Sequence, residues 1–392
     1  MTHRVSTGLD VLKREAFSRL KGRRVGLLCH PASVDADLAH ALDLFLAAEG
    51  VELVRLFGPQ HGILGQTQDN MVEWSPFRDP ETGLECCSLY GEHRKPTAGM
   101  LEGLDALVVD LQDVGARYYT FNWTMLLCME ACAEAGVDVV VLDRPNPVNA
   151  AVREGPVLDL SYKSFVGMAP VPVRHGMTPG EMAGFCNDRL NVGCALEVVG
   201  MEGYRRSQWF DETGLPWVLP SPNMPALETA VVYPGMCLLE GTELSEGRGT
   251  TRPFEIFGAP FVKPGRLVSR LEEMRLPGVR FRPLHFEPTF QKYARDLCGG
   301  AQIHVTDRDG FRPVLTAVAI LSAVRELWPD EFAWKRPPYE YETEKMPVDI
   351  LAGGDTLRLA IEAGTDPREI AGAWDSELIG FEKLAAASLR YE

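Results

Sequence analysis

Short, nearly continuous apolar runs alternate with amphipathic segments through residues 1–145, and this rhythm admits few folds. Continuous runs of Val and Leu between helices are typical of strands that are covered on both faces, as in parallel sheets with right-handed crossovers. The sequence therefore predicts an α/β fold with a mostly parallel sheet. The predicted elements of this region are strand 24–29, helix 36–48, strand 51–57, strand 106–111, helix 118–135 and strand 137–142.

The rest of the chain continues this pattern and divides into two units. The stretch Thr178-Pro179-Gly180-Glu181 has Pro at the first helical position and an acidic residue at the third, which favours a helix start. The Pro-rich stretch 216–225 is the predicted boundary, so we expect domains at 1–225 and 226–392. Two domains also fit a length of 392 residues, at roughly 100–200 residues for each domain. The other predicted elements are strands 170–174, 196–199, 278–286 and 301–306, and helices 178–190, 314–327 and 367–387.

Polar side chains cluster in the loops directly after the four predicted strands of residues 1–145. Because ligands of open parallel sheets bind outside the carboxyl ends of the strands, we expect these loops to share a pocket. Each residue taken alone also has a structural interpretation, since an Asp before Arg-Pro can simply cap a turn. The loops carry His30-Pro31, Gly58-Pro59-Gln60-His61, Asp110 with 113–117, and Asp143-Arg144-Pro145-Asn146-Pro147.

The motifs that hold nucleotides and metals are missing from these loops. No G-x-G-x-x-G follows the first predicted strand, and no G-x-x-x-x-G-K-[ST] occurs in the chain. The nine cysteines are scattered and do not form paired C-x-x-C sites, so we expect reduced, mostly buried thiols rather than zinc ligands or disulfides. The sequence predicts no cofactor and no metal.

The charge balance narrows the choice of partners and compartment. A formal net charge of -16 disfavours nucleic acid and anionic membranes as partners. The longest apolar run, near 316–324, falls far short of the ~18 residues that a membrane span needs. Residues 1–24 are polar and basic and contain no signal-peptide core, so we expect a cytoplasmic protein.

The long segment after the second predicted strand is the first candidate for chemistry. It begins with Phe57-Gly58-Pro59-Gln60-His61-Gly62 and continues to Asp69, and long loops in compact domains tend to be functional. Asp69 is a candidate acid or base, and His61 a candidate hydrogen-bond donor. The alternative is a solvated loop whose histidine is satisfied by its neighbours.

The segment after the third predicted strand combines two carboxylates with an arginine. Asp110 and Asp113 precede Arg117, Tyr118 and Thr120. Arginine recognises a carboxylate through two parallel hydrogen bonds, so this segment is suited to a ligand with hydroxyls and an anionic group. An internal ion pair between Asp110 and Arg117 is the alternative.

A Gly-rich acidic segment, 240–250, is the third candidate. Glu240, Glu243 and Glu246 lie within seven positions and precede Arg248, and the glycines among them allow a ligand to approach the backbone closely. The spacing does not match a calcium loop. Paired carboxylates are what hydrolysis of a glycosidic bond needs, although acidic clusters are often only surface.

Seven motifs distributed along the chain make it similar to one known family. From about residue 8 to residue 391, the chain resembles the exo-β-N-acetylmuramidase family (NamZ). The motifs are FGPQHG (57–62), SLYG (88–91), DLQDVGARYYTF (110–121), VLDRPNP (141–147), RHGMTPGE (174–181), PSPNMP (220–225) and EGTELSEGRGT (240–250).

The resemblance implies a fold and an activity. It implies a Rossmann-like N-terminal domain followed by a smaller α/β C-terminal domain, with the active-site cleft between them. The implied reaction removes N-acetylmuramic acid from the non-reducing end of peptidoglycan fragments during cell-wall recycling, without a metal or nucleotide.

The chain departs from the family pattern at two positions. The family pattern is Ser-Pro-Glu-His-Gly where this chain has Gly58-Pro59-Gln60-His61-Gly62. Gln60 therefore stands at the position of the Glu, which is the family's proposed catalytic residue. An amide at this position cannot act as a general acid. Glu243 stands where the family pattern has Asn, so an added carboxylate accompanies the lost one. Alternatively, FGPQHG with Gln68-Asp69-Asn70-Met71 defines a subgroup.

The resulting interpretation is a glycosidase acting on a muramic-acid-containing carbohydrate, with retention or inversion open. The alternatives are a sensor that binds such sugars without turnover, which Gln60 motivates, and a hydrolase of another acidic sugar. The candidate acid and base residues are Asp113, Glu240, Glu243 and Glu246, with Gln60 at the family Glu position. The candidates for pairing with the lactyl carboxylate are Arg117, Arg174 and Arg248. The other candidate binding residues are His61, Asp69, Tyr118, Asp143, Asn146, His175 and Asn223.

Overall fold

The computed structural model describes residues 4–69 and 71–392. The strands are β1 Arg24–Leu28, β2 Glu52–Gly58, β3 Phe77–Arg78, β4 Glu85–Ser88, β5 Ala106–Val109, β6 Asp138–Leu142, β7 Glu154–Val157, β8 Pro172–Arg174, β9 Leu196–Val199, β10 Ile256–Ala259, β11 Val279–Phe286 and β12 Cys298–Val305. The α-helices are α1 Gly8–Arg14, α2 Ala41–Leu46, α3 Ala98–Leu101, α4 Phe121–Ala135, α5 Pro179–Arg189, α6 Leu227–Met236, α7 Pro264–Glu273, α8 Pro313–Leu327, α9 Pro347–Ala352, α10 Thr356–Glu362, α11 Pro367–Gly372 and α12 Asp375–Ala385. Short 3-10 helices cover Ser18–Leu20, Leu160–Tyr162, Phe210–Thr213, Cys237–Gly241 and Ala386–Ser388.

A twisted sheet with the strand order β3-β4-β2-β1-β5-β6-β9 forms the framework of the first half of the chain. Its neighbours pair in parallel except at the edge, where β3 runs antiparallel to β4. Side chains of β5 alternate between two apolar clusters, with Ala106 and Val108 on one face and Leu107 and Val109 on the other. Both faces are therefore covered, and the predicted α/β fold with a mostly parallel sheet is confirmed.

A smaller antiparallel sheet with the order β10-β12-β11 forms the core of the second half. Helix α7 packs on this sheet, and α8 packs against α6 and α7 and is buried along most of its length. Helix α6 approaches the start of α8 so closely that a Cβ at Gly235 would lie 1.9 Å from the carbonyl oxygen of Pro313. Only glycine fits at that crossing.

The last residues of the chain return to the first sheet. The Tyr391 hydroxyl donates a 2.5 Å hydrogen bond to Asp143 and accepts one from the Met201 backbone at 3.0 Å. On α12, Glu382 pairs with Arg153 at 3.0 Å. Because the second half packs back on the first half in this way, the division at residue 225 stays a prediction.

The start of α5 follows the sequence signal closely. Thr178 accepts a hydrogen bond from the Glu181 backbone at 3.2 Å, and the Glu181 side chain accepts one from the Thr178 backbone at 3.0 Å. This reciprocal cap satisfies two backbone donors that a helix start otherwise leaves without partners. The predicted helix start is confirmed.

Some predicted elements are shorter or differently arranged. The helix expected at 36–48 is reduced to α2, because Asp35 accepts hydrogen bonds from the Asp37 and Ala39 backbones at 2.9 and 2.8 Å. Such local bonds compete with helix formation. The helix expected at 367–387 is divided into α11 and α12.

Two segments take positions that the pattern did not indicate. The supposed long loop after β2 contains β3 and β4, and β8 pairs with β7 in a separate hairpin rather than joining the large sheet.

Two further features are the state of the cysteines and the character of the helices. All nine cysteines are buried and form no disulfide within the described residues. Among residues 4–69 and 71–392, no helix combines the length and the apolar character that a membrane span requires.

Candidate active site

A narrow cavity lies between the carboxyl edge of the large sheet and the segments around α6. Its volume is about 40 Å³, which holds a few water molecules. Residues from both halves of the chain line it. The lining residues are Gln60, His61, Tyr118, Tyr119, Thr120, Val166, Ser221, Asn223, Met224, Tyr233, Cys237, Glu240, Arg248, Phe254, Tyr339 and Glu340.

Glu240 is a buried carboxylate held in its ionised form. It lies in the 3-10 helix Cys237–Gly241, where Arg248 donates a 2.8 Å hydrogen bond to Oε1 and the Tyr339 hydroxyl a 2.7 Å bond to Oε2. Burial alone raises the pKa of Glu240, but the Arg248 charge and these hydrogen bonds outweigh it and lower the pKa below its ordinary value. Glu240 is therefore an anion at neutral pH.

Glu340 is a second buried carboxyl group in the same cavity, and it was not among the residues predicted from the sequence. It is 6% exposed, and its backbone has a φ of 43°, a left-handed conformation that non-glycine residues rarely adopt. Burial, together with the nearby negative charge of Glu240, raises the pKa of Glu340 to about 7, against hydrogen bonds from Tyr90 and Gln60. Much of Glu340 is therefore protonated at neutral pH.

Adjacent parallel strands place the partners of Glu340. Gln60 follows β2, and Tyr90 follows β4, which pairs with β2. The Tyr90 hydroxyl donates to Glu340 Oε2 at 2.9 Å, and Gln60 Nε2 donates to Oε1 at 3.4 Å. On the other side of the amide, Thr120 donates to Gln60 Oε1 at 2.8 Å, which fixes the amide orientation. Thr120 directly precedes α4, so three strand-end loops and the C-terminal half meet at one carboxyl group.

The backbone of the loop that carries Gln60 is tightly confined. A Cβ at Gly58 would lie 2.7 Å from the Trp74 ring and 2.9 Å from the Ile63 backbone nitrogen, so a side chain does not fit there. Trp74 also donates a 3.0 Å hydrogen bond to the Pro59 carbonyl. This packing fixes the position from which Gln60 reaches the cavity.

His61 lines the cavity as a neutral ring. Burial lowers the pKa of His61 to about 4, and Nδ1 lies 2.8 Å from the Thr67 carbonyl. Because a carbonyl only accepts, Nδ1 carries the proton and Nε2 is an acceptor. His61 is thus suited to accepting a hydrogen bond from a hydroxyl, whereas the sequence predicted a donor.

Asn223 lines the cavity and also holds the loop after β2. Its Nδ2 donates to the Gln68 carbonyl at 2.5 Å, and Gln68 Nε2 donates back to Oδ1 at 3.4 Å. Asp69, next in this loop, accepts a hydrogen bond from Gln291 and does not line the cavity. Asn70 of the predicted subgroup motif lies outside the described residues.

Of the three predicted arginines, Arg248 lines the described cavity, and its positive charge already pairs with two glutamates. It donates to Glu240 at 2.8 Å, its Nε lies 3.4 Å from Glu246 Oε1, and its Cζ lies 4.9 Å from the Phe254 ring centre. Glu246 lies outside the cavity lining and also pairs with Lys292 at 3.0 Å. Burial lowers the pKa of Arg248, but Glu240 and Glu246 outweigh burial and raise it.

The other two predicted arginines face the protein interior. Arg117 donates 2.8 Å hydrogen bonds to the carbonyls of Pro156, Val171 and Leu351, and Arg174 donates to the Val148 carbonyl. Burial lowers the pKa of each arginine to about 10. Both side chains satisfy backbone groups away from the cavity, so the expectation that they meet a ligand is corrected.

Asp143 and Asn146 of the fourth strand-end loop also serve the fold. Asp143 accepts hydrogen bonds at 2.8 Å from the Thr178 hydroxyl and from the Gly180 backbone at the start of α5. Burial raises the pKa of Asp143 to about 6, against these hydrogen bonds. Asn146 donates to the Met177 carbonyl at 2.9 Å. Neither residue lines the cavity.

Asp113 and His175 form a buried pair next to the cavity but do not line it. His175 Nε2 lies 3.1 Å from Asp113 Oδ2, and that oxygen also accepts a 2.6 Å hydrogen bond from the Gly115 backbone. The hydrogen bond between Asp113 and the Gly115 backbone closes the turn that precedes Tyr118. Tyr118 does line the cavity, and its hydroxyl donates to the Pro234 carbonyl in α6.

Two further predictions about carboxylates are changed by the structure. Glu243 is exposed and does not line the cavity, because its segment turns outward where its backbone bonds to Ala333. Asp110 pairs with Arg144, with Nη2 2.7 Å from Oδ2, and not with Arg117. Of the predicted carboxylates in the Gly-rich segment, Glu240 alone belongs to the described cavity lining.

No group of three or more His, Cys, Asp or Glu side chains within residues 4–69 and 71–392 is arranged to hold a metal ion. The cavity instead offers two carboxyl groups, a neutral imidazole, amides and hydroxyls. These groups are suited to binding and protonating an oxygen-rich molecule.

Comparison with known proteins assigns the family. The family model "Exo-beta-N-acetylmuramidase NamZ, N-terminal" matches residues 25–228, and "Exo-beta-N-acetylmuramidase NamZ, C-terminal" matches residues 231–391. The chain belongs to the NamZ family. This confirms the predicted family, whereas the FGPQHG subgroup stays a prediction.

Similar proteins agree with the NamZ assignment. The peptidoglycan beta-N-acetylmuramidase NamZ of Bacillus subtilis strain 168 is 42% identical over 388 residues, which cover 99% of this chain and 92% of that protein. A crystal structure of a DUF1343 family protein from Bacteroides fragilis has a TM-score of 0.89 at 34% identity and covers 99% of both chains. A second one from the same organism has a TM-score of 0.79 at 28% identity, covering 100% of this chain and 99% of the other.

Proposed function

We propose that this protein is an exo-β-N-acetylmuramidase that hydrolyses the terminal muramic acid from peptidoglycan fragments, with Glu340 as general acid and Glu240 as its ionised partner. Membership of the NamZ family supports the reaction class and a peptidoglycan-derived carbohydrate as substrate. One observation carries the residue assignment. Two carboxyl groups line one cavity, and their surroundings move their pKa values in opposite directions.

The opposite pKa shifts correspond to two roles in glycoside hydrolysis. The protonated Glu340 gives its proton to the glycosidic oxygen as the bond to the anomeric carbon breaks and the bonding electrons pass to that oxygen. The anionic Glu240 faces the positive charge that develops at the anomeric carbon. Water then supplies the new hydroxyl of the released sugar and a proton for Glu340.

Gln60 acts as a positioning residue in this mechanism. Its amide is fixed by Thr120 and donates to Glu340. An amide cannot transfer a proton in the reaction. It orients the carboxyl group that does, so an amide at position 60 is compatible with activity.

The remaining lining residues supply contacts to the sugar. His61 Nε2 accepts a hydrogen bond from a sugar hydroxyl, and Asn223 offers its side-chain amide. Among the described residues that line the cavity, Arg248 carries the positive charge that pairs with the lactyl carboxylate. Since Glu240 and Glu246 already share that charge, we expect the lactyl group to compete with them for Arg248.

Substrate binding requires the cavity to enlarge. A volume of about 40 Å³ is far below the roughly 300 Å³ or more typical of small-molecule sites. Tyr339 and Glu340 form one wall of the cavity, and they belong to a short turn closed by paired backbone bonds between Tyr339 and Glu342.

The test is release of muramic acid from an aryl β-N-acetylmuramide and from the disaccharide MurNAc-GlcNAc. We expect the wild type to cleave both and Glu340→Gln to lose at least about a hundredfold on the disaccharide. Glu344→Gln, an exposed glutamate four positions away, is the matched control and should behave as the wild type. Tight binding without product, measured by calorimetry, would instead indicate a sensor.

We also propose that the reaction takes place in the cytoplasm. The support is that all nine cysteines are buried and without disulfides in the described residues, the state typical of a reducing compartment. Cell fractionation with a cytoplasmic marker tests this, and recovery of the protein outside the cytoplasmic fraction contradicts it.

A further inference from the structure

We propose that a second, open cavity beside Glu340 binds the leaving-group part of the glycan and recognises a carboxylate on that part. The inference rests on the proposed function, because it concerns the same bond. The second cavity has a volume of about 430 Å³ and includes Arg94, Lys163, Phe165 and Tyr341 in its lining. Glu340 lines both this cavity and the narrow one.

The shared position of Glu340 determines the direction of the substrate. A general acid must lie between the sugar that is released and the group that leaves, since it protonates the oxygen that joins them. The narrow cavity contains Glu240 and therefore takes the terminal sugar. The open cavity on the other side of Glu340 then takes the rest of the chain.

An aromatic surface in the open cavity suits the first sugar of the leaving group. Tyr341 is 41% exposed, and its ring packs against Tyr90 and Phe165 at centre distances of 5.8 and 6.2 Å. The Tyr341 hydroxyl donates to Glu73 at 3.1 Å, which fixes the ring. Arg94 covers one face of this ring, so the part that stays exposed offers apolar surface beside the guanidinium for C–H groups of the sugar.

Two cations lie beside this aromatic surface. Arg94 lies over the Tyr341 ring, with Cζ 3.8 Å from its centre, and Lys163 is exposed at the cavity wall. Neither forms an ion pair with another described residue, in a chain whose formal net charge is -16. The Glu342 carboxylate, which also lines this cavity, accepts hydrogen bonds from the backbone N–H groups of Glu344 and Lys345 at 2.8 and 3.2 Å.

The cation pair indicates an anionic group in the ligand. In a glycan of alternating N-acetylglucosamine and N-acetylmuramic acid, the leaving chain begins with a neutral sugar, and the next muramic acid bears a carboxylate on its lactyl group or its peptide. We assign that carboxylate to Arg94 and Lys163. Its presence should raise kcat/KM without changing the chemistry at Glu340.

Lys163→Ala and Lys163→Glu test the assignment on three substrates, because Lys163 is exposed and its replacement does not threaten folding. The substrates are an aryl β-N-acetylmuramide, the disaccharide MurNAc-GlcNAc and the tetrasaccharide with a second muramic acid. We expect kcat/KM of the Ala variant to fall about fivefold on the tetrasaccharide alone, and more for the Glu variant. Lys383→Ala, an exposed lysine on α12, is the control.

The salt dependence of kcat/KM and a peptide-bearing substrate make the test more specific. The effect should weaken at high salt, because screening reduces the attraction between exposed charges. A tetrasaccharide with a peptide on its second muramic acid distinguishes a lactyl carboxylate from a peptide carboxylate, since the lactyl group is then an amide. If the wild type cleaves all substrates and the Lys163 variants change all of them equally or none, the inference is wrong. If the wild type cleaves none, even the aryl muramide, the proposed function itself fails and the inference with it.

Discussion

Gln60 Nε2 donates a 3.4 Å hydrogen bond to Oε1 of Glu340, a residue 280 positions later in the chain. This contact joins the carboxyl edge of the large sheet to a turn of the C-terminal half. It also relates the Gln60 amide to the carboxyl group best suited to donate a proton. The pKa of Glu340, about 7, makes that role compatible with neutral pH.

The pH dependence of the wild type follows from the two carboxyl groups. Activity requires Glu340 protonated, so kcat/KM should fall as the pH rises through about 7. It also requires Glu240 ionised, and because the pKa of Glu240 is lowered, the acid side of the profile should lie below the usual range of a glutamate. A pH–rate profile on MurNAc-GlcNAc, whose leaving group must be protonated, measures both limits. Activity that stays constant from pH 6 to 9 would contradict the assignment of Glu340.

Replacing Gln60 by glutamate should move the basic limit upward. Gln60→Glu puts a second carboxyl group within hydrogen-bond distance of Glu340, and two adjacent carboxyl groups share one proton. We expect the apparent pKa of the basic limb to rise by about one unit in the same pH–rate assay. Thr120→Val, which removes the hydroxyl that orients the amide, should lower kcat while leaving this pKa nearly unchanged. If the basic limb is unchanged in Gln60→Glu, Gln60 does not interact with the group that donates the proton, and the prediction is wrong.

The acid limit should respond to Tyr339. Its hydroxyl donates to Glu240 Oε2 at 2.7 Å and helps to lower the pKa of that carboxylate. Tyr339→Phe removes the hydrogen bond with little change of shape, so the acid limb should move upward while the basic limb stays in place. Since Tyr339 is buried, the melting temperature is measured alongside the profile as a check on folding. Movement of both limbs together would contradict separate roles for the two carboxyl groups.

Arg117 should prove essential for stability rather than for binding. Arg117→Met leaves three buried carbonyl groups without their donor and should lower the free energy of unfolding by roughly 3 kcal/mol or more. The folded fraction, assayed at low temperature, should keep a KM near that of the wild type. Arg4→Met, at an exposed pair with Asp37, is the control and should change stability little. A large rise in KM at unchanged stability would indicate that Arg117 binds the ligand, contrary to this prediction.

The framework could be predicted from the sequence because its signals are local. The runs that form β1, β5 and β6 are nearly continuous and apolar, and burial on both faces of a sheet favours that pattern, whereas β2 also contains Glu52 and Arg55. The capped start of α5 was equally clear. Helix α2 was overestimated because the Asp35 side chain bonds to nearby backbone groups, a competition that apolar spacing does not reveal.

The candidate site could be predicted only in part. Gln60, His61, Asn223, Glu240 and Arg248 do meet in the cavity. Arg117 and Arg174 have the same residue type and similar motif positions as a ligand-binding arginine, yet they bind carbonyl groups, and only the tertiary structure separates the two cases.

Glu340 is the clearest omission. It reaches the site through long-range packing, and its one sequence signal was a carboxylate between tyrosines in Tyr339-Glu340-Tyr341.

The central claim is that Glu340 is the proton donor, and leaving-group dependence in Glu340→Ala tests it most directly. A 2,4-dinitrophenyl β-N-acetylmuramide departs without protonation, whereas MurNAc-GlcNAc does not. We predict that kcat/KM of the variant stays within about tenfold of the wild type on the dinitrophenyl substrate and falls by about a hundredfold or more on the disaccharide. Equal losses on both substrates, or no loss on the disaccharide, would contradict the account.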